Sequence, residues 1–211
     1  MKKYVNLFVF VFMIGACLSQ GRAQTKSAVS YKNPVVDIAM PDPTVIKAAD
    51  GYFYVYATES TRNVPIMKSK DLVEWTYCNT AFTNKTRPRF EPKAGIWAPD
   101  INYINGKYVL YYAMSVWGGE QTCGIGVATA NSPQGPFTDH GKMFRSNEIG
   151  VQNSIDPSLL QYEGRNYLVW GSFRGIYVIE LTADGLSIMP GAKKKRIAGT
   201  AFEAVYIHKY G

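Results

Sequence analysis

A glycine followed by an aromatic, alternating stretch recurs about every 55 residues along this chain of 211 residues. The first three copies are Gly51–Thr58, Gly106–Ala113 and Gly164–Gly171, and Tyr210–Gly211 looks like the start of a fourth. A period of this length is typical of a propeller or another repeat fold, in which each copy forms one supersecondary unit. The repeat therefore constrains the fold more than any single motif does.

Each repeat carries the signals of four short β-strands. A strand and a turn with Asp, Asn or Glu next to the glycine predict a β-hairpin, and a further strand and a second turn follow it. The 15 Tyr and 10 Phe residues favour strands, and no long amphipathic helical stripe follows the N-terminal segment. A β-sandwich would show turns about every 8–12 residues without the longer unit. The sequence therefore predicts an all-β propeller of four-stranded blades.

An acidic residue precedes each repeat glycine by a similar distance: Asp42, Asp100, Asp156 and Glu203. The first strand of a propeller blade lines the central channel, so acids at the heads of these strands are expected at equivalent positions around the axis. Asp before Pro is also a common turn former, which is the structural alternative. Clustered like charges cost stability and indicate a function. Hydrolysis of a glycosidic bond uses such carboxyl groups, one protonated and one ionised.

Residues 1–23 have the charged start and the short apolar run of a bacterial secretory signal. Two processing routes stay open, because Ile14–Cys17 resembles a lipobox whose Cys17 would be acylated, while small residues near position 23 suit an ordinary signal peptidase. Residues 24–32 are interpreted as a short linker and residues 33–211 as the propeller domain. We therefore expect a secreted protein, periplasmic or on the outer surface, that meets a membrane only through a lipid on Cys17.

The formal net charge of +7 includes a basic run, Lys193–Arg196, that we interpret as a solvated loop. Nucleic-acid binding would need basic residues clustered through the fold and a known motif, and the sequence has neither. Cys78 and Cys123 lack metal-ligand spacing, so we expect two buried thiols and leave a disulfide between them open. His140, in an Asp-His-Gly turn, and His208 are expected at the surface.

Five motifs, in their order and spacing, make residues 33–211 resemble the family 43 glycoside hydrolases. They are Pro41–Val45, Ile96–Asp100, Ser154–Leu159, Gly171–Phe173 and Phe202–Ala204. The resemblance implies a five-bladed propeller that acts on plant cell-wall polysaccharide, such as arabinan or arabinoxylan, with inversion at the anomeric carbon. It implies Asp42 as the general base, Glu203 as the general acid, and Asp156 as the residue that tunes the pKa of that acid and orients it.

Within that family the chain looks most like the endo-acting 1,5-α-L-arabinanases. The alternatives are an exo-acting β-xylosidase or α-L-arabinofuranosidase of the same family, or a propeller that binds glycans without cleaving them. Trp97 and Phe173 are expected to contact sugar rings, and Asp100 is expected to support substrate binding or the start of its strand. The resemblance implies no cofactor for the chemistry and a structural Ca²⁺ near the propeller axis, and no residue of this chain is assigned as a metal ligand.

The chain is expected to hold three blades and the opening of a fourth. A five-bladed ring at roughly 50–60 residues per blade needs about 250–300 residues. We therefore expect a partial propeller that stops after the general-acid motif and leaves strand edges open. Such a fragment alone is expected to be poorly stable and inactive.

Overall fold

The computed structural model describes residues 30–208. Every strand given below belongs to one compact unit, which begins at Tyr31. The predicted signal peptide with Cys17 and the predicted fourth repeat at Tyr210–Gly211 lie outside the described residues. Within residues 30–208 no helix is long and apolar enough to cross a membrane.

The described residues form three four-stranded antiparallel sheets, and each sheet takes four consecutive strands in chain order. Blade 1 contains β1 (Thr44–Lys47), β2 (Phe53–Tyr56), β3 (Pro65–Ser69) and β4 (Thr76–Thr80). Blade 2 contains β5 (Gly95–Ile104), β6 (Lys107–Ser115), β7 (Gly124–Ala130) and β8 (Thr138–Arg145). Blade 3 contains β9 (Ser158–Tyr162), β10 (Arg165–Trp170), β11 (Ile176–Leu181) and β12 (Lys195–Ala198). A short helix, α1 (Ser146–Ile149), follows β8. The predicted four-stranded blades are confirmed.

The first hairpin of each blade turns at the repeat glycine, as predicted. In blades 2 and 3 two residues join the strands, Asn105-Gly106 and Glu163-Gly164, and all four have φ between 48° and 81°. Positive φ at both positions defines the type I′ turn, whose twist matches that of the flanking strands. The second position is glycine in each case, which adopts this conformation without a steric cost.

Strand β6 is buried on both faces because a neighbouring blade covers each of them. Its side chains alternate, since Tyr108, Leu110 and Tyr112 belong to the core shared with blade 1, whereas Val109 and Tyr111 belong to the core shared with blade 3. Successive side chains of a strand point to opposite faces, so one strand supplies both cores. The three blades therefore pack as successive layers.

A buried ion pair fixes the loop before β5 against blade 1. Arg87 donates hydrogen bonds to both carboxylate oxygens of Glu59 and to Ala94 O, and Glu59 Oε1 accepts a hydrogen bond from Ile96 N at 3.0 Å. Burial alone would raise the pKa of Glu59, but the hydrogen bonds from Arg87 and from backbone N–H groups lower it below its ordinary value. Loss of either partner would leave an unpaired buried charge, so the pair holds this junction in one arrangement.

Three details differ from the sequence-based expectations. The basic run is exposed, but from Lys195 onward it forms β12 rather than a loop, because its backbone pairs with β11. His140 lies in β8 and not in a turn, because the extra residues form an irregularity in the ladder opposite Val127. Cys123 is buried as expected, whereas Cys78 is half-buried because it lies on the outer strand β4, and both are free thiols.

Candidate active site

A cavity of about 980 Å³ opens where the first strands of the three blades begin. Its wall contains Asp42, Asp156 and Glu203, and also Trp97 and Phe173. The first strand of a propeller blade is the innermost one, so this end of β1, β5 and β9 is one mouth of the central channel. The structure thus brings together the side chains to which the sequence analysis assigns roles, and Asp100 lies on the same wall.

The backbone adopts the left-handed conformation at one position at the head of each blade. Asp42 has φ 49°, Ala98 has φ 39° and Asp156 has φ 58°, and each directly precedes a proline. Pro43 and Pro157 come just before β1 and β9, whereas Pro99 lies at a ladder irregularity within β5. Residues other than glycine seldom adopt this conformation, which costs of order 1–3 kcal/mol and tends to persist at functional sites. Asp is among the residues that tolerate it best. At two of the three positions, the residue is therefore an acid that lines the cavity.

The expectation that four acids occupy equivalent positions is wrong for two of them. The blade 2 residue that matches Asp42 and Asp156 is Ala98, and Asp100 lies two residues further on, inside β5. Next to Glu203 the left-handed residue is Ala204, with φ 50°, so Glu203 lies one residue before the equivalent position. Counting back from the repeat glycine agrees with the structure, because Ala98 is eight residues before Gly106 and Asp156 is eight before Gly164, whereas Asp100 is only six before Gly106. The acids nevertheless line one cavity.

Asp156 is half-buried in the cavity wall between the other two acids. Desolvation, followed by the negative charges of Asp42 and Glu203, raises the pKa of Asp156 from 3.8 to about 7. Hydrogen bonds from Ala204 N and from the hydroxyl group of Ser172 oppose that increase. Asp156 is therefore a carboxyl group that can hold a proton near neutral pH, as expected where like charges are gathered.

Two hydroxyl groups orient the outer carboxyl groups. Thr58 Oγ1 donates to Asp42 Oδ2 at 2.6 Å and accepts a hydrogen bond from Ala98 N at 2.7 Å, which fixes its direction. Ser172 Oγ lies 3.4 Å from Glu203 Oε2 and also contacts Asp156. A serine hydroxyl has one hydrogen to donate, so Ser172 serves one carboxylate at a time. Asp156 and Glu203 therefore share one hydroxyl neighbour.

Asp100 connects the first strands of successive blades. Its Oδ2 accepts hydrogen bonds from Leu159 N and from Asn102 Nδ2, both at 2.7 Å, and the Thr44 side chain is a further partner. Thr44 Oγ1 in turn accepts a hydrogen bond from Ile101 N at 3.3 Å. Burial raises the pKa of Asp100 to about 6 despite these bonds. The carboxyl group is occupied by contacts within the protein, which favours the role in strand organisation over the role in substrate binding.

Aromatic side chains form one side of the cavity. The half-buried Trp97 ring lies 5.5 Å from the ring of Trp117, measured between centroids, and Trp117 is 94% exposed. Phe173 is 46% exposed and Tyr206 is exposed as well. The sequence motifs did not indicate Trp117 or Tyr206. The signal for Trp117 is a tryptophan followed by two glycines directly after strand β6, which is typical of an aromatic side chain displayed on a loop.

The loop that carries Trp117 is tied to blade 3 by an ion pair with two hydrogen bonds. Arg174 Nε and Nη2 donate to the two carboxylate oxygens of Glu120, each at 2.9 Å. Glu120 O accepts a hydrogen bond from Asn153 N at 2.7 Å, and Asn153 Nδ2 donates to Ser172 O at 2.9 Å. This network runs along the rim from the Trp117 loop to the hydroxyl group beside Asp156. It ties the loop that carries Trp117 to the chain on either side of Phe173.

The calcium ion that the family resemblance implies has no matching set of ligands in the described part of the chain. Within residues 30–208 no three His, Cys, Asp or Glu side chains are grouped so that they could hold a metal ion. The residues present do not fit this ion.

Comparison with known proteins agrees with this geometry. The sequence profile described as "Glycosyl hydrolases family 43" matches residues 31–211. The extracellular endo-α-(1→5)-L-arabinanase 1 of Bacillus subtilis is 38% identical over 140 residues, which are 63% of this chain and 43% of that protein. A probable arabinan endo-1,5-α-L-arabinosidase C of Aspergillus niger is 32% identical over 179 residues, 81% of this chain and 55% of that protein.

A solved structure gives the same result at the level of the fold. The α-L-arabinanase of Cellvibrio cellulosa in complex with arabinohexaose superposes with a TM-score of 0.67 at 28% identity, over 77% of this chain and 54% of that chain. The present chain thus spans about half the length of the curated relatives that it matches. Because the family profile covers all but the first of the described residues, the chain belongs to glycosyl hydrolase family 43.

Proposed function

We propose that the carboxyl groups of the cavity hydrolyse a glycosidic bond in a single displacement with inversion. Asp42 is the general base that takes a proton from the attacking water, and Glu203 is the general acid that protonates the departing sugar oxygen. Both side chains are exposed to the cavity, so both are accessible to a bound sugar. The observation that carries this proposal is the gathering of three acids from distant parts of the chain in one open cavity. The displacement uses protein groups and water alone.

Asp156 is a positioning residue in this mechanism. It does not need to touch the sugar, because it acts on Glu203 through its charge and through the hydroxyl group of Ser172. When Asp156 is ionised, the two carboxylates repel each other and compete for one hydroxyl hydrogen. The environments of Glu203 and Asp156, and not their residue types, make one the general acid and the other its modulator.

The substrate class that fits best is 1,5-α-L-arabinan, and the mode of attack is endo. Two relatives are named as endo-acting on this polymer, and the Cellvibrio structure holds arabinohexaose. Adjacent aromatic rings, such as Trp97 and Trp117, offer apolar faces on which neutral sugar rings can pack.

The site of action is proposed to be outside the cell. The Bacillus relative is named as extracellular, and residues 1–23 of this chain have the sequence features of a secretory signal. Processing before a lipid-carrying Cys17 would place the enzyme in the periplasm or on the outer surface, attached to a membrane. Mass spectrometry of the mature N-terminus distinguishes the two routes.

Linear 1,5-α-arabinan is expected to be cleaved by the full-length protein, while xylo-oligosaccharides are not. Products are separated by size, and their anomeric configuration is followed by NMR immediately after cleavage. Short arabino-oligosaccharides of inverted configuration are the expected result. Release of single arabinose or xylose units would instead indicate an exo-acting member of the family. Binding of arabinan without any cleavage would indicate a glycan-binding propeller and not an enzyme.

Replacing Trp117 by Ala is expected to raise KM for arabinan roughly tenfold, equivalent to about 1.4 kcal/mol, with kcat nearly unchanged. The indole ring is almost wholly exposed, so its loss removes a surface for the substrate and little packing energy. Steady-state kinetics on arabino-oligosaccharides of increasing length measures the change. Tyr103→Ala is the matched control, because Tyr103 is an exposed aromatic residue near the far end of β5. Equal effects of both substitutions would contradict a binding role for Trp117.

A further inference from the structure

A second cleft, of about 380 Å³, is lined by cationic side chains. We call it the arginine cleft, and Arg62, Arg89 and Lys93 are its exposed cations. Arg62 lies in the loop between β2 and β3, and the other two lie in the loop between β4 and β5. In a four-stranded antiparallel blade these two loops occur at the same end as the start of the first strand. The arginine cleft therefore opens on the face of the propeller that carries the candidate active site.

One residue holds the two exposed arginines of the cleft side by side. Arg62 Nε donates to Asn84 Oδ1 at 3.1 Å, and Arg89 Nη2 donates to Asn84 O at 2.8 Å. Asn84 is itself fixed by Asn63, whose Nδ2 donates to the same Oδ1 at 3.1 Å. The two guanidinium groups come from different loops, so this shared partner sets their relative position in advance. The remaining N–H groups of both guanidinium groups have no hydrogen-bond partner among the described residues.

The positive charge of the cleft is not neutralised by the protein. Arg87, below the exposed cations, is paired with the buried Glu59. Glu91 also lines the cleft, but Arg145 and Thr122 already engage its two carboxylate oxygens. In residues 30–208 no carboxylate lies within 4.0 Å of Arg62, Arg89 or Lys93. Gathering like charges costs stability, and an anion in the cleft would recover that cost.

We infer that the arginine cleft binds a carboxylate carried by the polysaccharide substrate, that is, a uronic acid unit near the arabinan chain. The inference rests on the proposed function, because the molecule expected at this face is a polysaccharide and the common acidic group of sugars is a carboxylate. A planar guanidinium group matches the two oxygens of a carboxylate and binds them with two parallel hydrogen bonds. A second attachment point raises the affinity for an acidic polymer without any change at the catalytic carboxyl groups.

Binding of a galacturonic acid trisaccharide to the full-length protein tests the inference. We expect a Kd of millimolar order by calorimetry at low ionic strength, and weaker binding as salt is added. The double variant R62Q/R89Q is expected to lose at least tenfold in affinity. The matched control R165Q/R196Q removes the same charge from exposed arginines of blade 3 and is expected to change the affinity less than twofold. The methyl ester of the trisaccharide, which is uncharged, is expected not to bind.

Four outcomes would overturn the inference. They are absent binding of the trisaccharide, equal losses in the two double variants, binding of the methyl ester as tight as that of the acid, and binding of inorganic phosphate as tight as that of the uronide. The last would identify a site for any anion. Melting temperatures check that both double variants are folded. Hydrolysis of neutral arabino-oligosaccharides is expected to be the same in R62Q/R89Q as in the unmodified protein, so failure of the cleft and failure of the proposed function are seen in separate measurements.

Discussion

Replacing Glu203 by Gln is expected to lower kcat for linear arabinan about 10²- to 10⁴-fold and to leave KM within about threefold. Glutamine has the shape of the protonated acid and keeps an oxygen that can accept a hydrogen bond from Ser172 Oγ, 3.4 Å from the present carboxylate oxygen. It has no proton to give to the departing sugar oxygen. The binding surface is therefore preserved while the protonation step is lost. Steady-state kinetics and calorimetric binding of arabino-oligosaccharides measure the two effects separately.

A second measurement on Glu203→Gln, with an activated substrate, identifies the general acid. An aryl arabinoside with a strongly acidic leaving group needs little protonation, so the loss of kcat on this substrate is expected to be much smaller in Glu203→Gln. Asp42→Asn is the matched comparison, because loss of the base impairs the attack of water on both substrates equally. Unchanged turnover of arabinan by Glu203→Gln, or equal losses on both substrates, would remove Glu203 from the acid role.

Replacing Asp156 by Asn is expected to stabilise the protein at pH 8 by roughly 1–3 kcal/mol. The same substitution is expected to lower kcat by about tenfold or more. The native protein holds the Asp156 proton more tightly than the unfolded chain does, since desolvation and the neighbouring acids raise its pKa from 3.8 to about 7. Stability from this group is therefore complete below pH 3.8 and is lost as the pH rises from about 4 to about 7. Asparagine is uncharged at every pH, so the loss does not occur in the variant.

Urea unfolding from pH 4 to pH 8 measures this difference. The gain from Asp156→Asn is expected to be absent near pH 4 and to grow until it levels off above pH 7. Asp37→Asn is a control, because Asp37 is exposed and lies outside the cavity. A gain that does not depend on pH would mean that the carboxyl group at position 156 has an ordinary pKa in the folded protein.

The blades and their first hairpins could be predicted because both depend on local signals. An alternating apolar pattern and a glycine that adopts positive φ fix a hairpin irrespective of what packs against it, as at Gly106 and Gly164. The repeat of that unit then fixes the number of strands per sheet. The uninterrupted apolar and aromatic run of β6 is consistent with its burial on both faces.

The alignment of the acids was predicted wrongly, because the positions were matched by acidic residue and not by the proline that follows the left-handed residue. The structure matches the residues that precede Pro43, Pro99 and Pro157, and the blade 2 member of that set is an alanine. Asp100 was grouped with Asp42 although it is six residues before its glycine and Asp42 is nine before its own. The contact of Asp100 with Leu159 depends on how the blades pack, which is tertiary information.

The loop residues of the site were the hardest to predict for a related reason. Trp117 and Glu120 share one loop, whereas Arg174 is 54 residues from Glu120 and meets it only where blades 2 and 3 come together. The same is true of Arg62 and Arg89, which are neighbours only because both donate to Asn84. Contacts between loops that are distant in sequence leave no signal in hydrophobic periodicity or in residue propensity.

The two-sided burial of β6 has a consequence for how the protein unfolds. A cavity made on one face of this strand weakens the contact with blade 1, and one made on the other face weakens the contact with blade 3. Neither neighbour has a core of its own on that side, so the middle blade couples the free energies of the outer two. Tyr112 and Tyr111 are adjacent in sequence but pack in opposite interfaces. Because the middle blade couples both interfaces, truncating either residue should raise amide exchange in all three sheets together.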